Sequence, residues 1–151
     1  MAQTLSMNYL HIVFSTKNRS LFLKDENIRK QLYLYITKII SEYESIAIEI
    51  GGHQDHVHIF LNLSKNICLK DLVSAIKKNT SKWIKTKGEE YSNFYWQSGY
   101  GSFSVGEAQK AKTIDYIKRQ DEHHRKVSFQ EEFITFLEKN NIDYNEQYLW
   151  D

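Results

Sequence analysis

Residues 51–63, Gly51-Gly52-His53-Gln54-Asp55-His56-Val57-His58-Ile59-Phe60-Leu61-Asn62-Leu63, decide how the chain folds. From His56 to Leu63 the run is rich in β-branched and aromatic residues and reads as a strand. Before it, Ser45 to Ile50 (SIAIEI) alternates as another strand, which the Gly51-Gly52 pair is expected to break, so the two form a hairpin across a short loop. Working outward, Tyr9 to Thr16 (YLHIVFST) reads as an earlier strand. Asp25 offers an N-cap to a helix whose Ile28, Leu32, Tyr35, Ile36, Ile39 and Tyr43 recur at helical spacing. Beyond the hairpin, Leu69, Leu72, Val73, Ile76 and Trp83 mark one stripe of a second helix, and Tyr100 to Val105 reads as a fourth strand. A third helix is expected from Glu107 to about Arg125, with Ala111, Ile114 and Ile117 facing inward. Ser128 and Glu131 then have the form of a capping box, opening a helix that buries Phe129, Phe133, Phe136 and Leu137. The order predicts an α+β fold: a ferredoxin-like split βαβ antiparallel sheet with helices on one face and a C-terminal helical extension. That architecture alone implies no activity.

Composition sets the outer limits. A chain of 151 residues suits a single domain spanning 1–151, and 41% hydrophobic with 26% charged residues describes an ordinary globular protein. No apolar run approaches the ~20 residues of a membrane span. The first residues lack a signal-peptide pattern, and Cys68 is the only cysteine, so a reducing cytoplasm is the expected location and no intrachain disulfide can form. Net charge is only +1, but the charges are unevenly spread. Seven lysines (Lys65, Lys70, Lys77, Lys78, Lys82, Lys85, Lys87) face a single acid, Asp71, between residues 65 and 87. Such a face can attract phosphates, or can simply be a solvated helix surface.

His56 and His58 are two apart on a strand, so both imidazoles leave one face while Val57 and Ile59 leave the other. Two imidazoles on a rigid strand can ligate one metal ion, with Asp55 available to fix a histidine tautomer. They can equally be a packed, hydrogen-bonded pair. Two histidines hold a divalent ion weakly, so a real site needs a third ligand from elsewhere.

Tyr116 and Gln120 form an i, i+4 pair sharing one helical face, which His123 and His124 roughly continue. A tyrosine hydroxyl is ionised in only roughly one molecule in a thousand at neutral pH. It becomes a useful nucleophile when its proton is taken and a cation withdraws charge from the phosphate it attacks. The covalent phosphotyrosine so formed conserves the energy of the broken bond, which suits rejoining strands better than hydrolysis. Gln120 can supply the missing neutral oxygen ligand.

The His56-Val57-His58 run after a Gly-Gly turn, the stretch Trp96 to Val105, and the Tyr116-Ile117-Lys118-Arg119-Gln120 segment occur in one order. Together they resemble the single-tyrosine HUH transposases of bacterial insertion sequences (IS200-like) and the REP-associated tyrosine transposases. The resemblance implies that His56, His58 and Gln120 bind a divalent metal, Mg²⁺ or Mn²⁺. It implies that Tyr116 is the nucleophile, becoming joined to a 5′ phosphate of single-stranded DNA and freeing a 3′ hydroxyl. It further implies recognition of imperfect DNA hairpins and a homodimer. Lys77, Lys78, Lys82, Trp83 and Lys85, with Tyr95 and Trp96, are then candidate DNA contacts. The tail from Glu122 to Asp151 is assigned only packing, against the sheet or across a dimer. Two other readings of the same residues are a paired-histidine phosphoesterase and a non-catalytic ferredoxin-like nucleic-acid-binding module.

Overall fold

The computed structural model describes residues 2–124 and 126–151. Strand β1 (Tyr9–Ser15) lies in the middle of a four-stranded sheet of order β2-β3-β1-β4, completed by β2 (Ile46–Gly52), β3 (His56–Asn62) and β4 (Gly101–Ser104). All three pairings are antiparallel. Helix α1 (Glu26–Glu42) joins β1 to β2, and α2 (Leu69–Lys85) joins β3 to β4, which is the expected split βαβ arrangement. The Asp25 side chain caps α1 by accepting from the amides of Asn27 and Ile28.

Period-two alternation divides the sheet into two chemically different faces. Ile12, Phe14, Val57, Ile59 and Leu61 point to one side and pack with Leu32, Ile36 and Ile40 of α1 and with Leu72, Val73, Ile76 and Ile84 of α2. Each such fully buried aliphatic side chain contributes about 1.5–3 kcal/mol, so this layer dominates stability. His11, Val13, Ser15, His56, His58 and Phe60 point to the other side. That polar-containing face is buried too, because the C-terminal extension lies across it.

The extension consists of α3 (Lys110–Lys118), α4 (Gln120–His123), α5 (Phe129–Lys139) and α6 (Glu146–Leu149), counted among the described residues. Phe129, Phe133 and Leu137 of α5 pack on Val13 and Phe103, whereas Ile117 of α3 packs on Tyr9 and Phe60. Ser128 caps α5 by accepting from the Glu131 amide, and its hydroxyl donates to the Glu131 carboxylate. The single helix expected from Glu107 to about Arg125 is interrupted: Glu107–Gln109 is one 3₁₀ turn, and α3 ends at Arg119 before α4 starts. Its expected end near Arg125 falls outside the described residues. Ala111, expected to face inward, is exposed.

Gly51 and Gly52 are the last two residues of β2 and do not lie beyond it. They pair with His58 and Val57 inside the ladder. The reason is close approach. A Cβ at Gly51 would lie 2.7 Å from the Ile117 carbonyl oxygen, so only glycine lets α3 settle on the strand. Gly101 does the same for α5, since a Cβ there would lie 2.5 Å from the Phe133 ring. Gly51→Ala is therefore expected to push α3 off the sheet, costing about 1–3 kcal/mol in urea denaturation. Wild-type stability in this variant would contradict the packing argument.

Candidate active site

Strand β3 delivers His56 and His58 to the covered face, both with no exposed surface. The break at Arg119 turns Gln120 inward, where it is 1% exposed. Asp121, next along, meets Arg29 of α1 at 3.5 Å and His53 of the hairpin loop at 2.6 Å, holding the start of α4 against the sheet. His56 Nε2 lies 3.0 Å from Gln120 Oε1. Two of the three residues expected to share a cation are thus in contact although 64 positions separate them, and the His58 ring lies 5.1 Å from that of His56. Tyr116, half-buried on α3, lies beside them with its ring 5.7 Å from that of His58.

Two further groups enter from the tail, which carries more than the packing role expected of it. Glu132 of α5 is 3% exposed, and its carboxylate lies 2.9 Å from His58 Nε2, 3.3 Å from His124 Nε2 and 3.2 Å from His123 Nε2. It also accepts hydrogen bonds from Gln120 Nε2 and from the Tyr116 hydroxyl. His124 Nε2 approaches Gln120 Oε1 to 2.9 Å. Ligand atoms of His56, His58, His124 and Glu132 all fall within 4.8 Å of one another. The sequence carried a sign of Glu132: it occupies the apolar stripe 129, 132, 133, 136 of its own helix, where an acid has no packing purpose. His124 carried a weaker sign, roughly continuing the Tyr116–Gln120 face four residues after Gln120, but nothing local shows that the chain turns it toward β3.

The proton positions follow from the outer partners. Asp55 Oδ1 stands 2.7 Å from His56 Nδ1, and an ionised carboxylate only accepts, so Nδ1 carries the hydrogen and Nε2 presents a lone pair. The Val127 carbonyl stands 2.6 Å from His124 Nδ1 and imposes the same tautomer. His56 Nε2 and Gln120 Oε1 therefore face each other as two acceptors, with Glu132 Oε1 3.6 Å from the same nitrogen. A cation is what such a set lacks, and imidazole, amide oxygen and carboxylate together suit a divalent ion of borderline hardness. The residues present fit the metal.

Electrostatics agree with that geometry. Burial opposes ionisation of Glu132, but the imidazoles of His58, His124 and His56 hold its carboxyl far below the usual range. Burial likewise opposes protonation of His124, yet its bonds to Glu132 and Val127 raise its pKa. Burial and then the Glu132 charge push the Tyr116 hydroxyl well above its ordinary value, so the phenol stays protonated until a cation offsets that charge. His58 is lowered to about 4 by burial, and His11, 2.7 Å from His58 Nδ1, is lowered to about 3 by burial and by His58.

A pH dependence follows. Folded His11 and His58 bind protons more weakly than in the unfolded chain, so stability is lost as pH falls from about 6.5 toward 4. The depressed Glu132 pKa adds to the loss below its ordinary value of 4.5. His124, raised, partly offsets both. Each unit of gap is worth about 1.4 kcal/mol. Urea denaturation in a chelating buffer is expected to show a deficit at pH 4.5 relative to pH 7 of about 2–3 kcal/mol for each of the two histidines, less what His124 offsets. An unchanged midpoint would mean the two histidines are not held neutral.

The candidate DNA contacts lie elsewhere. Helix α2 packs on the opposite face of the sheet, so Lys78, Lys82, Lys85 and Trp83 belong to the far layer. Lys85 lies over the ring of exposed Tyr95, at 4.6 Å, and Lys87 over Trp83, at 4.9 Å. Lys77 is committed otherwise: its ammonium donates to the carbonyls of Gln97, Ser98 and Gly99 and ties down the loop before β4. Trp96 is also internal, its indole donating to the Thr80 hydroxyl. Among the described residues no helix is long and apolar enough to cross a membrane.

Comparison with known proteins accords with this arrangement. The family model described as "Transposase IS200 like" matches residues 4–120. Among solved structures, a candidate transposase from Deinococcus radiodurans R1 aligns with a TM-score of 0.62 at 21% identity, covering 80% of this chain and 95% of its own. A REP-associated tyrosine transposase bound to a REP hairpin aligns with a TM-score of 0.61 at 16% identity, covering 84% of this chain and 76% of its own. At such identities the likeness is one of fold. No curated protein matches the sequence. The family match takes in β1 to β4, the histidine pair and the Tyr116–Gln120 segment, well over half of the chain, and on that ground the chain belongs to the IS200-like transposase family and is a DNA transposase.

Proposed function

We propose that this transposase cleaves and rejoins single-stranded DNA through a covalent bond between Tyr116 and a 5′ phosphate. His56, His58 and Gln120 would hold a divalent cation, Mg²⁺ or Mn²⁺, with His124 and Glu132 completing the set. The observation that carries the reading is the convergence of ligand atoms of His56, His58, His124 and Glu132, with Gln120 Oε1, beside the hydroxyl of Tyr116. When bound, the cation withdraws charge from a phosphate oxygen, an effect of several kcal/mol.

The chain supplies the rest. Asp55 fixes the tautomer of His56 so that its Nε2 lone pair would face the cation, and His124, held through Nδ1 by Val127, would offer its own Nε2 on giving up the proton it shares with Glu132. The Tyr116 hydroxyl donates a hydrogen bond to Glu132, which aims Oη, and its proton passes to water as Oη bonds to phosphorus. The bond from phosphorus to the 3′ oxygen breaks, and that oxygen leaves as a hydroxyl with a proton from water. Because the 5′ phosphate stays on Tyr116, a 3′ hydroxyl can reverse the step at a new junction.

The hairpin held by the REP-associated neighbour supports hairpin DNA as the partner. Lys78, Lys82, Lys85 and Trp83 on α2 are proposed to meet its stem, whereas Lys77 is left out because its ammonium is already satisfied. A homodimer and a cytoplasmic location complete the proposal.

Labelled hairpin DNA incubated with the protein and Mn²⁺ should yield an SDS-resistant adduct. EDTA should remove the adduct while leaving hairpin binding within about twofold. Equal adduct yield in EDTA would discard the metal, and cleavage to free 5′ phosphate without any adduct would favour the phosphoesterase reading.

A further inference from the structure

The histidines of the proposed ligand set differ in what holds their outer nitrogen. His56 Nδ1 faces the Asp55 carboxylate and His124 Nδ1 faces the Val127 carbonyl, groups that only accept. His58 Nδ1 faces a different kind of partner, Nε2 of His11, at 2.7 Å. His11 comes from β1 on the same face of the sheet: Val13 pairs directly with His58, and His11 stands two residues earlier, on the diagonal. It is 4% exposed, and the rings of Phe136, Tyr116 and Phe103 surround it with centroids 5.2, 6.2 and 6.5 Å away. An imidazole in that aromatic shell has no packing purpose that a hydrocarbon would not serve better. Its one hydrogen bond among the described residues goes to His58.

We propose that His11 is a positioning residue that sets which ring nitrogen of His58 carries the hydrogen, and so whether Nε2 is free to bind a cation. This rests on the metal reading above. A neutral imidazole carries hydrogen on one nitrogen and a lone pair on the other. At 2.7 Å two lone pairs or two hydrogens would repel, so one ring donates and the other accepts. Glu132 Oε1, 2.9 Å from His58 Nε2, only accepts. Without a cation the hydrogen of His58 therefore sits on Nε2, its Nδ1 accepts, and His11 Nε2 donates. For Nε2 to present its lone pair to a cation, the hydrogen must sit on Nδ1 and His11 must become the acceptor. The exchange balances. His58 Nε2 gives one proton to water, the hydrogen on His11 Nε2 crosses to His58 Nδ1, and His11 Nδ1 takes one proton from water. Neither ring changes charge. Imidazole suits this place because it both donates and accepts, whereas a carboxylate would add a second negative charge beside Glu132. His11 and Tyr116 line a common cleft of about 710 Å³ along α5, the route by which protons reach His11.

Calorimetry of Mn²⁺ binding to the full chain tests this, with a thermal melt as control. His11→Phe keeps a ring and removes both nitrogens, and is expected to weaken Mn²⁺ binding about 10–100-fold. His11→Gln, whose amide both donates and accepts, should recover most of that loss. A packing role would rank the two variants the other way, because phenylalanine keeps the ring. Nitrogen-15 spectra of the imidazoles give a second readout on the wild type. Without metal His58 should bear its hydrogen on Nε2. With Zn²⁺, a diamagnetic probe that imidazole ligates, hydrogen should appear on Nδ1 of both His58 and His11. Unchanged Mn²⁺ affinity in His11→Phe, or a His58 Nδ1 without hydrogen in the Zn²⁺-bound protein, overturns the role of His11. Should His11→Phe not fold, the wild-type spectra decide alone. Wild-type protein that binds neither ion discards the metal reading itself, whereas tight binding that ignores His11 discards this assignment alone.

Discussion

Tyr116→Phe should abolish the SDS-resistant DNA adduct, lowering its rate by at least about a thousandfold, while hairpin affinity stays within about twofold. The variant removes one oxygen and leaves the ring, so the packing of Tyr116 against His11, His58 and Phe136 persists. Glu132 keeps its bonds from His58, His124 and Gln120, so the lost hydrogen bond should cost no more than about 1 kcal/mol of stability. The measurement is a gel-based capture assay beside an anisotropy titration and a thermal melt. An adduct that persists in the variant removes Tyr116 from the chemistry. Loss of adduct together with loss of binding or folding would leave its role as nucleophile unsupported.

Glu132→Gln is expected to weaken Mn²⁺ binding by about a hundredfold and to slow adduct formation at least as much. The substitution keeps size and shape but replaces an anion among His56, His58, His123 and His124 with a neutral amide. The amide cannot offset a divalent charge, and its NH₂ group directs hydrogens at lone pairs meant for the cation. It also no longer holds the Tyr116 hydroxyl by a charge-assisted hydrogen bond. Two terms therefore fall at once, and both are electrostatic in a site closed to water, where they are least screened. Calorimetry with Mn²⁺ and single-turnover capture report them separately. Unchanged Mn²⁺ affinity would exclude Glu132 as a ligand. Faster capture would mean that the carboxylate competes with the cation and acts as a plug on the site.

Much of the molecule is set by local pattern. The β-branched run from Tyr9, the alternation through β2 and β3, and the apolar stripes of α1 and α2 identify the split βαβ core, because side-chain periodicity directly encodes which face is buried. Spacing puts His56 and His58 on one face, and Tyr116 with Gln120 on one side of a chain segment. Where local reading erred, a tertiary contact had overridden a local preference. Glycine normally interrupts a strand, yet Gly51 continues one so that Ile117 can touch it. Lys77 reads as a surface cation, yet three carbonyls of a distant loop claim it.

By itself, then, the sequence determined the sheet, its two layers and four members of the candidate site, since each depends on spacings of two to four residues along one element. Only the tertiary structure brought Glu132 and His124 to those four and opened the cleft beside Tyr116. The break at Arg119 and the seat of α5 on Gly101 are set by contacts between segments far apart in the chain. No periodicity within a single segment records where another segment will pack.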